Sequence, residues 1–79
     1  MNVIDLFCGC GGFSKGFEQA VFNVRLGIDI WQDAVTTYKE NFPNAATIVG
    51  DISGLTGEDL LSAAGITADE VDVIIGGPP

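Results

Sequence analysis

Apolar residues along this chain fall into short dense runs, separated by stretches in which they recur at spacings of three and four. Val3, Ile4, Leu6 and Phe7 form a near-continuous apolar run, the pattern of a strand covered on both faces, as in a parallel sheet. Asp5 is its one exception. Phe13, Gly16, Phe17 and Ala20 then lie on one face of a predicted helix. Val24, Leu26 and Ile28 alternate with Asn23, Arg25 and Gly27, which predicts a second strand ending at Asp29. Ile30 and Trp31 lead into a second helix with Ala34, Val35, Tyr38 and Phe42 on one side, stopped by Pro43. A short third strand over Thr47, Ile48 and Val49 runs into Gly50-Asp51-Ile52, and residues 53–57 read as a loop. Thr56 followed by Asp59 fits a capping box opening a third helix through Leu60, Leu61 and Ala64, with Gly65 suited to its C-terminal cap. Val71 to Ile75 is the fourth strand, again followed by glycines.

Strands alternating with helices define an α/β chain, which right-handed crossovers fold into a parallel sheet with helices on both faces. The expected architecture is a partial doubly wound, Rossmann-like sheet of strand order 3-2-1-4. The order reverses between strands 1 and 4, so a ligand crevice is expected at their carboxyl ends, lined by residues 7–12 and 76–79. The fourth strand is then an exposed apolar edge, and self-association through it is expected.

The 79 residues, 47% of them apolar, allow one small domain with a marginal core. Gly76-Gly77-Pro78-Pro79 would ordinarily open a functional loop, so the chain reads as truncated. No run is long enough to span a bilayer and no secretory leader is visible, which predicts a cytoplasmic protein. The net charge is −8, and Lys15, Arg25 and Lys39 are the only basic residues. Such a surface repels a phosphate backbone, because nonspecific DNA affinity comes largely from Lys and Arg displacing counterions.

The candidate chemistry sits in the first turn. At Gly9, Gly11 and Gly12 the chain leaves the first strand for the first helix, and residues without Cβ let backbone approach a ligand closely. The dinucleotide fingerprint would need glycine at position 14, where Ser14 stands, and a P-loop would need Gly-Lys-Ser rather than Ser14-Lys15. An ordinary glycine-rich turn without a ligand is the alternative. Asp29 lies 20 residues beyond Gly9, the distance at which an acid at the end of the second strand takes both ribose hydroxyls. Capping the second helix is its other possible role. Cys8 and Cys10 are the only cysteines and histidine is absent. Two neighbouring thiols neither complete a zinc site nor suit a relaxed disulfide, and they read as small loop residues.

Asp-Leu-Phe-Cys-Gly-Cys-Gly-Gly at residues 5–12 resembles the first motif of the DNA cytosine-5 methyltransferases. The likeness continues through Gly27-Ile28-Asp29-Ile30-Trp31, similar to the second motif, Gly50-Asp51-Ile52, similar to the third, and residues 73–79, similar to the start of the fourth. It covers essentially the whole chain. The resemblance implies S-adenosylmethionine as cofactor, held by Phe7, Gly9, Cys10, Gly12, Asp29, Ile30, Asp51, Ile52, Gly77 and Pro79. Asp29 would bind the ribose, Ile30 and Ile52 would pack on the adenine, and Asp51 would accept its amino group. The family often has an aromatic where Ile30 stands, and Trp31 is either its substitute or a core residue. The family's nucleophilic cysteine follows the Gly-Pro-Pro element, so no catalytic residue is assigned within residues 1–79. The implied function is cofactor binding within a restriction-modification enzyme that methylates C5 of cytosine in duplex DNA. The alternatives are a tRNA cytosine-5 methyltransferase and a nonenzymatic nucleotide-binding or dimerisation module. One departure is Ala20-Val21-Phe22, where the family usually has Ala-Gly-Phe; valine strains that turn if it needs positive φ.

Overall fold

The computed structural model describes residues 1–9, 15–16 and 22–76. Within them four parallel strands, β1 (Asn2–Leu6), β2 (Asn23–Asp29), β3 (Ala46–Val49) and β4 (Val71–Gly76), form one sheet in the order β3-β2-β1-β4. This is the expected order. Among the described residues, helix α1 (Gln32–Asn41) crosses from β2 to β3 and helix α2 (Gly57–Ala64) from β3 to β4. Of the helix expected over 13–20, Lys15 and Gly16 are helical. The rest of it, and the turn at Val21, lie outside the described residues.

The two faces of the sheet bury different side chains. Ile4, Leu26 and Ile28 pack with Ala64 and Ile66, backed by Leu60 and Leu61 of α2. Tyr38 and Phe42, at the carboxyl-terminal end of α1, pack with Cys8, Val24 and Ala45, their rings tilted at 39° with centroids 4.7 Å apart. Cys8, expected as a small loop residue, is thus buried in this cluster. Val24 and Leu26, two residues apart, reach opposite faces. The β1–β2 register slips between Val3 and Ile4, which pair with Val24 and Leu26 and leave Arg25 as the extra residue. Such a bulge inverts the facing of everything before it. The plain alternation expected for the second strand is corrected on this point.

Local chemistry sets the ends of α2. Thr56 accepts from the Asp59 amide at 3.1 Å, and the Asp59 carboxylate accepts from the Thr56 amide at 2.9 Å, a reciprocal capping box that contributes about 1 kcal/mol. Gly65 closes the helix at φ 71°. The expected loop over 53–57 is partly ordered, because Ile52–Gly54 form a 3-10 turn capped by Asp51. A second box, Thr67 with Glu70, shapes the 3-10 turn Ala68–Glu70 ahead of β4. No described helix is long and apolar enough to cross a membrane.

Candidate functional site

The carboxyl ends of β1, β2 and β3 converge on a cleft of about 520 Å3, lined by Phe7, Gly9, Ile28, Asp29, Ile30, Trp31, Gly50, Asp51 and Ile52. Six of the ten expected site residues come together here: Phe7, Gly9, Asp29, Ile30, Asp51 and Ile52. Cys10, Gly12, Gly77 and Pro79 lie outside the described residues.

Asp29 organises the cleft. As the last residue of β2, its carboxylate accepts from the Gly9 amide through Oδ2 at 2.9 Å and from the Trp31 amide through Oδ1 at 3.0 Å. The 20-residue spacing thus corresponds to a physical tie between the glycine turn and the end of the second strand. Asp29 does not cap α1; the N-cap position belongs to Trp31, which makes no side-chain capping bond. Each carboxylate oxygen has two lone pairs, so a half-buried acid holding one amide per oxygen keeps acceptor capacity for a vicinal diol.

The chain reaches this tie through an unusual turn. The Cys8 amide donates to the Ile28 carbonyl at 2.8 Å, Phe7 has φ 57° and Gly9 φ 53°. Positive φ is free for glycine, but for a bulky residue it costs roughly 1–2 kcal/mol. The strained conformation brings the Phe7 ring to the cleft wall, 42% exposed, and strain of this kind is concentrated at functional sites.

Asp51 forms the opposite rim. Its Oδ1 accepts from the Ser53 amide at 2.9 Å and from the Ser53 hydroxyl at 2.8 Å. Those two bonds hold its carboxyl below the ordinary value of 3.8, so at neutral pH it is an acceptor, available to an amino group. It therefore caps the turn and faces the cleft at once. A carboxyl whose folded pKa is depressed adds stability that is present above the unfolded value and lost as pH falls through the folded one. Thermal melts between about pH 5 and pH 2 should accordingly fall less steeply for Asp51→Asn than for the native chain. Parallel curves would show that the Ser53 bonds add nothing to folding.

The site expectation omitted Trp31. It lines the cleft and is 65% exposed, which rules out the core placement. Its position directly after the strand-ending acid, where loops gather over a doubly wound sheet, was the available signal.

Comparison with known proteins agrees with this geometry. Residues 1–79 match the family described as C-5 cytosine-specific DNA methylase. The chain belongs to that family. Among curated proteins, this methylase chain is 51% identical to type II methyltransferase M.DdeI of Desulfomicrobium norvegicum, over 100% of its own length and 18% of the relative's. It is 43% identical to type II methyltransferase M.XorII of Xanthomonas oryzae pv. oryzae, over 96% of the chain and 18% of that protein. It thus spans less than a fifth of either relative. Among solved structures, a protein described as a prophage-encoded DNA modification methyltransferase from E. coli superposes with a TM-score of 0.88 at 41% identity, covering 100% of this chain and 22% of that one. A mutant of Spodoptera frugiperda DNMT2 superposes with a TM-score of 0.77 at 25% identity, covering 99% and 22%. The methylase fold shared with these proteins is the S-adenosylmethionine-dependent methyltransferase type expected from the motifs.

Proposed function

We propose that this chain is the cofactor-holding part of a DNA cytosine-5 methyltransferase of a restriction-modification system, acting in the cytoplasm on duplex DNA. The observation that carries the reading is the Asp29 carboxylate, held by the Gly9 and Trp31 amides at the mouth of the cleft, with Asp51 across from it. S-adenosylmethionine offers a ribose diol to Asp29, an adenine amino group to Asp51 and a flat ring to the apolar wall of Phe7, Ile30 and Ile52. When bound, it supplies the activated methyl group. Cys10, Gly12, Gly77 and Pro79 complete the proposed contact set. Residues 1–79 are one unit of the cofactor domain. Their charge of −8 leaves DNA contacts to other parts of the enzyme.

Calorimetric titration tests this. S-adenosylhomocysteine is expected to bind and NAD is not. NAD binding in preference would favour the nucleotide-module alternative, and methyl transfer to tRNA rather than duplex DNA by a full-length parent would favour the RNA enzyme.

The open edge of β4 supports a further proposal, self-association. Among the described residues β4 pairs only with β1, and Ile74 is 63% exposed. The high like charge opposes such pairing. A sedimentation profile independent of concentration would remove the proposal.

A further inference from the structure

We infer that Phe42 is a positioning residue for the cleft: its ring, at the carboxyl-terminal end of α1, is the footing for both ends of the glycine-rich stretch 9–14. The inference rests on the cofactor reading above. Phe42 is buried and is not among the residues that line the cleft. Cys8, which precedes the stretch, is buried in one cluster with Phe42, Tyr38, Val24 and Ala45. Lys15, which follows it, holds its ammonium over the Phe42 ring, 5.8 Å from the centroid, within the range of a cation–π contact. The residue before the glycines and the residue after them are thus both anchored at one end of α1.

The footing reaches the cleft through the backbone. Of the three residues that lead into the stretch, Cys8 alone is turned inward; Phe7 is exposed on the cleft wall, and Gly9 offers only its backbone. Phe7 and Gly9 both have positive φ, so Cys8 is the point at which the turn is held from below. Its thiol packs as a small hydrophobe, and its amide is fixed to the Ile28 carbonyl. The next amide, that of Gly9, donates to Asp29, whose other oxygen takes the amide of Trp31, the N-cap of α1. The path closes on itself. α1 has 10 residues, and at 1.5 Å per residue it is about 15 Å long. It is joined to the glycine turn at its start through Asp29 and at its end through Phe42, so loosening the far tie releases the Gly9 amide that orients the proposed ribose acceptor.

Core filling alone does not account for this arrangement. Phe42 is the C-cap residue of α1, and its amide donates to the Tyr38 carbonyl at 2.9 Å, a bond that any residue but proline makes. A leucine there would still bury apolar surface, but it presents no π-face to a cation. The ring is needed where Lys15 returns to the same helix end as Cys8.

Phe42→Leu therefore keeps an apolar side chain and removes the ring. Hydrogen exchange of the Gly9 amide, followed by NMR, should become about fivefold faster or more in this variant. Binding of S-adenosylhomocysteine in calorimetry should weaken by about threefold to tenfold, because only molecules with the turn seated are competent. Ile66→Val, in the cluster on the other face of the sheet, should lower the urea midpoint by a comparable amount and leave both readouts native. Lys15→Met should weaken binding by less than about threefold in the native background and not at all in Phe42→Leu, where the contact is already gone. Far-UV circular dichroism checks that each variant keeps its sheet and helices. Native Gly9 exchange and native affinity in Phe42→Leu would overturn the assignment and leave the cofactor reading standing. Equal effects of Phe42→Leu and Ile66→Val, or a full Lys15→Met penalty in Phe42→Leu, would overturn it as well. No heat from S-adenosylhomocysteine with the native chain would remove both readings.

Discussion

Gly27→Ala is expected to destabilise the fold by about 3 kcal/mol, at the upper end of what overpacking a core does. A Cβ at Gly27 would lie 2.2 Å from Cε1 of Tyr38, 2.6 Å from its Cζ and 2.7 Å from its Cδ1. Neither partner has room to retreat. Gly27 is paired with Asp5 of β1 on one side and Thr47 of β3 on the other, so its backbone is fixed within the sheet. The Tyr38 ring is fully buried and packs against Phe42, Cys8, Val24 and Ala45. The usual gain of about 0.4–1 kcal/mol from restricting the unfolded chain is too small to offset the clash. In a domain of this size 1 kcal/mol moves the melting temperature by roughly 4–8 °C, so the midpoint should fall by more than about 10 °C. Tyr38→Leu removes the ring and gives the control. In that background Gly27→Ala should change the urea midpoint little, so the two costs do not add, which is the signature of direct coupling. An equal penalty in both backgrounds would place the cause elsewhere.

Gly27 also marks where the sequence stops being legible. Short apolar runs, one alternation and helical spacings located β1 to β4, α1 and α2, because each reports burial along a single element. Thr56, Asp59 and Gly65 could be read because capping is local. The order β3-β2-β1-β4 followed from crossover handedness and short connections. Asp29 could be placed as well, since a strand-ending acid 20 residues beyond the first glycine meets the turn wherever that turn precedes a parallel neighbour. Contacts between elements left no such trace. Nothing in the alternation around residue 27 shows that a ring from α1 lies on that glycine, or that a bulge at Arg25 turns Val24 to the opposite face from Leu26. The positive φ of Phe7 was invisible for a similar reason: the bond from the Cys8 amide to Ile28 and the pull of Gly9 on Asp29 hold it, and both partners belong to β2. Trp31 was ambiguous because an indole next to a strand end is as suited to a core as to a cleft. Only its exposure decides.

Asp29→Ala should weaken binding of S-adenosylhomocysteine by about 1.5–3 kcal/mol, the scale of hydrogen bonds to a charged group, which is roughly a 10- to 150-fold rise in Kd. Two effects contribute, and they can be separated. One is loss of the acceptor for the ribose diol. The other is release of the Gly9 and Trp31 amides, which frees the glycine turn and the start of α1 to sample conformations that binding must then restrict. A ligand lacking both ribose hydroxyls distinguishes them. The native chain should prefer the ribose form by about tenfold or more, and Asp29→Ala should show almost no preference, because the partner of the hydroxyls is gone. Should Asp29→Ala weaken both ligands equally and keep the full preference, Asp29 acts only as the clamp between the turn and β2, and another group reads the sugar. Asp29→Asn sharpens the distinction. The amide retains one acceptor oxygen for a backbone N–H but presents a donor where the second oxygen stood, so it should preserve part of the clamp while losing most of the preference. If the loss of preference in Asp29→Asn matches that in Asp29→Ala while its overall affinity is higher, the clamp and the ribose contact are two roles of one carboxylate. The two hydrogen bonds at 2.9 Å and 3.0 Å then explain why an acid is needed at this strand end, since no neutral side chain offers an unshared acceptor to each amide and to the sugar.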